Sequence, residues 1–341
     1  MNRRHHRQIW WSRLASILAV LAVGLGLAAV PASATPTRPL PLDAAAIVTP
    51  QIVNINTKFG YNNAIGAGTG IVIDPGGVVL TNNHVISAAT DISAFDVGNG
   101  QTYAVDVIGY DRNADIAVLQ LRGAGGLPSA AIGGGVAIGD PVTAVGNAGG
   151  SGSPEAVRGK VVALNQSVSA SDTLTGADEK LGGLIQADTA IRPGDSGGPL
   201  VNNAGQVIGV DVAASDSYKM SGGQGFAIPI GQAMGVAGAI RGGAGSNTVH
   251  IGPTAFLGMG VAENSGNGAK VARLVNGGPA AGTGIAPGDV VIGVDNVAIN
   301  GPTSMTDVFV PHHPGDTITL RWRSQDGEHS APVVLAEGPP A

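Results

Sequence analysis

Cysteine is absent from the 341-residue chain, which excludes disulfides, thiol nucleophiles and thiolate-bound metals in one step. Aromatic residues make up 4% and charged residues 12%, so the core must be built from Val, Ile, Leu and Ala. Positive charge is not in excess: the net charge is −6 and the densest cluster of arginines lies at the extreme N-terminus, which leaves no basic footprint for nucleic acid. No internal repeat of fixed period is visible. The apolar run from Ala15 to Val30 is shorter than the ~20 residues of a spanning helix. It follows the basic start MNRRHHRQ and leads to PASATP, where Ala32 and Ala34 form a small-x-small signal. This pattern predicts a secretory signal peptide at 1–34. Arg3-Arg4 lacks the rest of a twin-arginine pattern, so the general export route is expected. The membrane is then met only transiently, and the product is secreted / extracellular, with retention at the cell envelope left open.

What the chain has in quantity is glycine, 55 residues, the mark of many turns between short strands. Its length suggests two domains. After a Pro-rich lead at 35–50, runs such as IVNINTKF, GTGIVID, VVLTNNHVI, YAVDVIGY, IAVLQL, PVTAVGN, KVVALNQSV and VIGVDVAA follow one another with turn residues between them. That spacing predicts an all-β sandwich or barrel over 51–241, with the first helix only at Ile230–Arg241. A glycine-rich linker at 242–253 leads into a compact α+β module at 254–337. The tail at 338–341 is expected to be loose.

One serine stands in PGDSGGP, and a serine hydroxyl becomes a nucleophile only beside a histidine that is itself held by an acid. Of the seven histidines, His5 and His6 fall in the signal segment and His250, His312, His313 and His329 in the linker or second module. His84, at the end of the strand-like VVLTNNHVI, is the only base candidate in the β region. Asp115 directly precedes the apolar run IAVLQL, where a buried carboxylate is costly without a partner; Asp111 in the same GYDRNAD stretch reads as a solvated turn residue. The order His, Asp, Ser is that of one catalytic-triad class and not of two others. Gly194 and Gly198 also satisfy a Gly-x-Ser-x-Gly spacing, but the alternating strands and helices of that motif are missing. The bare backbone at Gly194 lets its N–H and that of Ser196 converge on a carbonyl oxygen, an arrangement contributing roughly 2.7–4 kcal/mol per donor.

With TNNHVI, DRNADIAVLQL and GDSGGPLVN taken together, the chain resembles the trypsin-like serine proteases of the HtrA/DegP family over nearly all of its mature length. The resemblance implies a mainly β chain: a chymotrypsin/trypsin-like double β-barrel followed by a small α+β PDZ domain. It implies a serine endopeptidase with His84 as general base and acid, Asp115 as its orienting group and Ser196 as nucleophile. FLGMGV and GGPAAGTGIAPGDVVIGVDNVAING resemble a PDZ domain, with Phe256, Leu257, Gly258 and Met259 as the loop that receives peptide C-termini. The primary specificity pocket would draw on Ala190, Val212, Ala213, Phe226 and Ala227. No acid falls at its base, at Thr189 or Ala190, so small or medium aliphatic side chains are expected. The chain departs from the family in carrying Asp195 where its members carry Asn. The aromatic N-terminal segment that builds trimers is also not evident, which leaves a homo-oligomer open. No metal or other cofactor is implied. The partners are protein or peptide substrates and peptide C-termini, in envelope protein quality control. A chaperone-like binder with a resting cleft, or an esterase using the same triad, would share Ser196.

Overall fold

The structure, a computed structural model, describes residues 43–171, 178–212, 224–265 and 267–341; the predicted signal segment and Ala213 lie outside them. The first six strands are β1 (Ile52–Phe59), β2 (Ala64–Asp74), β3 (Val78–Thr81), β4 (Asp91–Asp96), β5 (Thr102–Asp111) and β6 (Ile116–Leu121). They pair in the order β5-β4-β1-β2-β3-β6, and β5 pairs again with β6, closing a barrel. The next six are β7 (Pro141–Gly146), β8 (Glu155–Ser171), β9 (Asp178–Ala187), β10 (Pro199–Asn202), β11 (Val207–Val212) and β12 (Gly225–Pro229). They close a second barrel in the order β10-β11-β12-β9-β8-β7.

Alternation along the strands explains how so aliphatic a sequence fills two barrels and the seam between them. Ala117 and Leu119 of β6 join a cluster with Val53, Val72 and Val79, whereas Ile116 and Val118 join one with Val145, Val201 and Val210 of the second barrel. Successive side chains point to opposite faces, so a strand buried on both sides reads as the nearly unbroken apolar run IAVLQL. Each such side chain taken fully out of water stabilises the fold by roughly 1.5–3 kcal/mol. A short helix α1 (Ala44–Val48) precedes the first barrel. Helix α2 (Asn83–Ile86) follows β3, and α3 (Ile230–Arg241) lies after β12. Ile230, Ala233, Ala237 and Ile240 form the buried face of α3 at helical spacing, and Arg241 reaches Asp74 of β2 at 2.9 Å.

Part of the glycine-rich segment 242–253 is a strand, β13 (Val249–Ile251), which pairs antiparallel with β5. Gly109 permits this approach, since a Cβ there would lie 2.4 Å from the His250 carbonyl oxygen. Beyond it come β14 (Thr254–Phe256), β15 (Met259–Glu263), β16 (Ala269–Leu274), β17 (Val290–Val294), β18 (Val297–Ala298), a short helix α4 (Pro302–Asp307), β19 (Thr317–Ser324), β20 (Gly327–Val334) and β21 (Ala336–Gly338). Their main sheet runs β15-β16-β17-β19-β20, and β14 pairs with β21. Val271, Val291, Leu320 and Trp322 centre its core.

The tail expected to be loose is tied down. Gly338 is paired with Thr254, and the carbonyl of Pro340 accepts a hydrogen bond from the Ala88 N–H at 2.7 Å. Strand pairing steers these Pro-rich residues onto the first barrel, which their composition alone does not reveal. Among the described residues, no helix is long and apolar enough to cross a membrane.

Candidate active site

His84 does not end a strand; it sits in α2, one turn of helix that follows β3. Asp115 occupies the tight β5–β6 turn at φ +50, a conformation unusual for a residue with a side chain. Three bonds account for it. The Asp115 N–H donates to the Arg112 carbonyl at 3.1 Å, the Asn82 amide donates to the Asp115 carbonyl at 2.9 Å, and the His84 N–H donates to Asp115 Oδ1 at 2.9 Å. The second carboxylate oxygen, Oδ2, lies 2.8 Å from His84 Nδ1. A carboxylate only accepts, so this contact suits the ring tautomer with its proton on Nδ1. Asp115 is buried while the His84 side chain remains one-fifth exposed, so the ring reaches solvent and its anchor does not.

Asp111 is buried as well and is not a solvated turn residue. The added strand β13 brings Thr248 over it: Asp111 Oδ2 accepts from the Thr248 hydroxyl at 3.2 Å, and Oδ1 from the Ala114 N–H at 3.1 Å. Its role is to close the turn that holds Asp115, and burial pushes its carboxyl above the usual range.

Ser196 lies in the turn between β9 and β10, in the second barrel, and is buried. Thr69 of β2 joins this turn to the first barrel: its N–H donates to the Ser196 carbonyl at 2.8 Å, and its hydroxyl to the Gly194 carbonyl at 2.8 Å. Gly197, at φ +82, packs so closely that a Cβ would meet the Thr69 carbonyl and the Thr81 hydroxyl at 2.2 Å and the Asn82 nitrogen at 3.2 Å. A Cβ on Gly68 would meet both Val85, the neighbour of His84, at 2.5 Å and the Ser196 carbonyl at 3.3 Å. Through these contacts α2 and the serine turn meet across the same stretch of β2.

Gly194, at φ +98, could not carry a side chain, because a Cβ would fall 2.2 Å from the Asn147 carbonyl oxygen. The preceding Pro193 carbonyl accepts from the Gly149 N–H at 2.7 Å. In a trans peptide the C=O and N–H point oppositely, so the Gly194 N–H is turned away from residue 149. Asp195 caps its own turn, its Oδ2 accepting from the Arg192 N–H at 2.9 Å, while Oδ1 has no partner among the described residues. Two strands on, Asp211 is fully buried and neither of its oxygens has a partner among the described residues. Burial, and then the charge of Asp195, push the Asp211 carboxyl well above the usual range. One acid amid the apolar VIGVDV was the sequence signal for this group, and TNNHVI held the signal for Asn82.

Of the residues expected at the specificity pocket, Val212 and Phe226 are cross-strand partners, and Ala227 stands opposite Asp211. Val212 and Ala227 are buried in the apolar clusters, and Ala190 is exposed. In the second module, Phe256 ends β14, Met259 begins β15, and Leu257 and Gly258 form the link, with Gly258 at φ +79. A cavity opens beside them, bounded by Val261, Arg273, Met305 and Phe309 and by Ser87 and Ala88 of the first barrel. Tyr61 stacks on Phe256 with ring centres 5.5 Å apart, and Arg112 reaches Asp307 of α4 at 3.0 Å. Among the described residues, no group of three or more His, Asp or Glu is placed to hold a metal ion.

Two closed barrels with a histidine–carboxylate pair on one and a GDSGG turn on the other define the trypsin-like class. Residues 68–210 match the trypsin-like peptidase domain family, and residues 255–333 match the PDZ domain family. The chain is 33% identical over 308 residues to the serine protease PepD of Mycobacterium tuberculosis, covering 83% of this chain and 63% of that protein. It is 30% identical over 284 residues to the serine protease Do-like HtrA of Lactobacillus helveticus, covering 78% of this chain and 67% of that one. Among solved structures, the HtrA-type protease AlgW with a tripeptide is similar at 27% identity and a TM-score of 0.50, over 87% of this chain and 97% of that one. The chain belongs to the HtrA family of trypsin-like serine proteases. It spans somewhat under two thirds of the length of PepD.

Proposed function

We propose that this protein is a serine endopeptidase in which Ser196 attacks the scissile carbonyl, His84 accepts its proton and Asp115 steadies the resulting imidazolium. The observation that carries this reading is the double grip of one buried carboxylate on the main chain and on Nδ1 of His84, which leaves Nε2 as the base. The tetrahedral oxyanion would be met by the N–H groups of Gly194 and Ser196, the first aimed by the Gly149–Pro193 bond. Collapse of the intermediate breaks the C–N bond as His84 returns the proton to the leaving amine. Water then attacks the acyl-enzyme with His84 again as base.

The proposed division is a protease unit at 51–241, a connecting segment at 242–253 and a PDZ unit at 254–337 that receives peptide C-termini at Leu257–Gly258. Val212, Phe226 and the other apolar pocket residues favour small or medium aliphatic side chains in the substrate. Export through the segment 1–34 would place the enzyme outside the cytoplasm, in protein quality control at the envelope. A fluorophosphonate probe tests the nucleophile: the adduct is expected on the peptide containing Ser196 and is expected to vanish in Ser196→Ala. An adduct elsewhere, or undiminished labelling of the variant, would overturn the assignment.

A further inference from the structure

Residues 339–341 run along the outside of α2, the helix that presents His84. The Pro340 carbonyl accepts from the Ala88 N–H at 2.7 Å, and the main-chain oxygen of Ala341 accepts from the Asn83 side-chain amide at 3.0 Å. Asn83 is the first residue of α2, and Ala88 follows its C-cap, Ser87. The two bonds therefore bracket His84 from both ends.

Such bracketing matters because α2 has little to hold it. It is four residues long, and its characteristic internal bond is the Ser87 N–H to the Asn83 carbonyl at 2.9 Å; a single turn is not stable by itself. Ala88 lies at φ +60, a left-handed conformation that a residue with a Cβ adopts only when its surroundings impose it. Ala341 also packs against the apolar cluster containing Val85 and Ile86, the two residues after His84. Asp115 fixes the inner side of this turn, and the tail fixes the outer. Pairing of β21 with β14 delivers the tail to its seat.

Resting on the reading of His84 as general base, we propose that residues 339–341 are a positioning element of the catalytic site, whose two main-chain acceptors hold the turn carrying the imidazole. The second module thereby completes the first barrel's half of the site, with the same tail residues also lining the cavity beside Phe256–Met259. A displaced imidazole spoils proton transfer while leaving the substrate cleft intact, so the signature is a loss in kcat with KM preserved.

The test uses the chain from Thr35, the same chain lacking residues 339–341, and Asn83→Ala in the unshortened chain, each checked by circular dichroism. A misplacement of this kind is expected to lower kcat on a peptide substrate about tenfold to a hundredfold in the shortened chain, with KM within about twofold. The synthetic peptide Glu-Gly-Pro-Pro-Ala, added in trans, is expected to restore part of the lost kcat. Asn83→Ala is expected to lose less, and to add nothing in the shortened background, because both changes remove one shared contact. An unchanged kcat in a folded shortened chain, a loss confined to KM, or full additivity would overturn the proposal. Should the shortened chain fail to fold, kcat and KM of Asn83→Ala decide it. Ser196→Ala is run alongside: turnover equal to the parent's would overturn the proposed function, whereas an inactive Ser196→Ala with an unaffected shortened chain would overturn only the positioning role.

Discussion

Asp115 in the first barrel and Asp211 in the second are 1% and 0% exposed, yet the fold treats them in opposite ways. Asp115 accepts from the N–H and Nδ1 of His84, so both of its oxygens are met where they stand. Asp211 offers two oxygens that nothing among the described residues meets, and burial, with the charge of Asp195 beside it, raises its carboxyl well above the usual range. Burial alone does not decide what a carboxyl group does. The donors within reach decide whether it acts as an anion or as a protonated filler in the barrel wall.

The sharpest way to break this comparison is Asp115→Asn, which keeps the shape but, with its amide oxygen held by the His84 N–H, turns an NH2 donor toward Nδ1 and so favours the tautomer of His84 with its proton on Nε2. By analogy with the same change in a characterised protease, turnover should fall on the order of ten-thousandfold with little change in KM. A loss under tenfold would mean that His84 is oriented by something else. On the second barrel, Gly194→Ala drives a Cβ onto the Asn147 carbonyl, 2.2 Å away, and should swing the Gly194 N–H off its aim. A lost oxyanion donor lowers kcat about a hundredfold to a thousandfold, and steady-state kinetics on a peptide substrate would reveal it.

The smallest effect belongs to Asp211→Asn and appears in stability. The Asp211 carboxyl is raised in the folded state, so between the ordinary carboxylate range and that raised value the folded chain binds more protons than the unfolded one. Stability is then full at acidic pH and declines as pH rises through this window, by at most about 1.4 kcal/mol per pH unit for one proton. Asp211→Asn cannot titrate and should flatten that decline. Urea melts of parent and variant across pH 4 to 9, roughly the span from carboxylate to neutral-base titration, measure the difference. Parallel curves would show that Asp211 is ionised in the fold after all.

The barrel architecture was legible because short apolar runs and turn residues alternate through the chain, and the resemblance of its motifs to the HtrA family agrees with the architecture observed. The candidate pair was legible in the rarity of histidine: with one in the β region, His84 had no competitor as a candidate base, and the structure brings it to Asp115 at 2.8 Å. What stayed hidden depends on contacts distant in sequence. Asp111 looked solvated because nothing in GYDRNAD announces that Thr248, from a segment read as linker, will cover it. NHVI looked like the end of a strand, since a single helical turn has no periodicity to detect, and the turn is held by Asp115 and by residues 340 and 341. The Pro-rich tail was expected to be loose from composition, yet its anchoring comes from carbonyl acceptors that every residue possesses.

The most direct test of the account is casein turnover by the chain from Thr35, set against Ser196→Ala at the same concentration. The account predicts clear hydrolysis by the parent and a fall on the order of a millionfold, below detection, in the variant. Equal turnover by the two proteins, or none by a correctly folded parent, would contradict it.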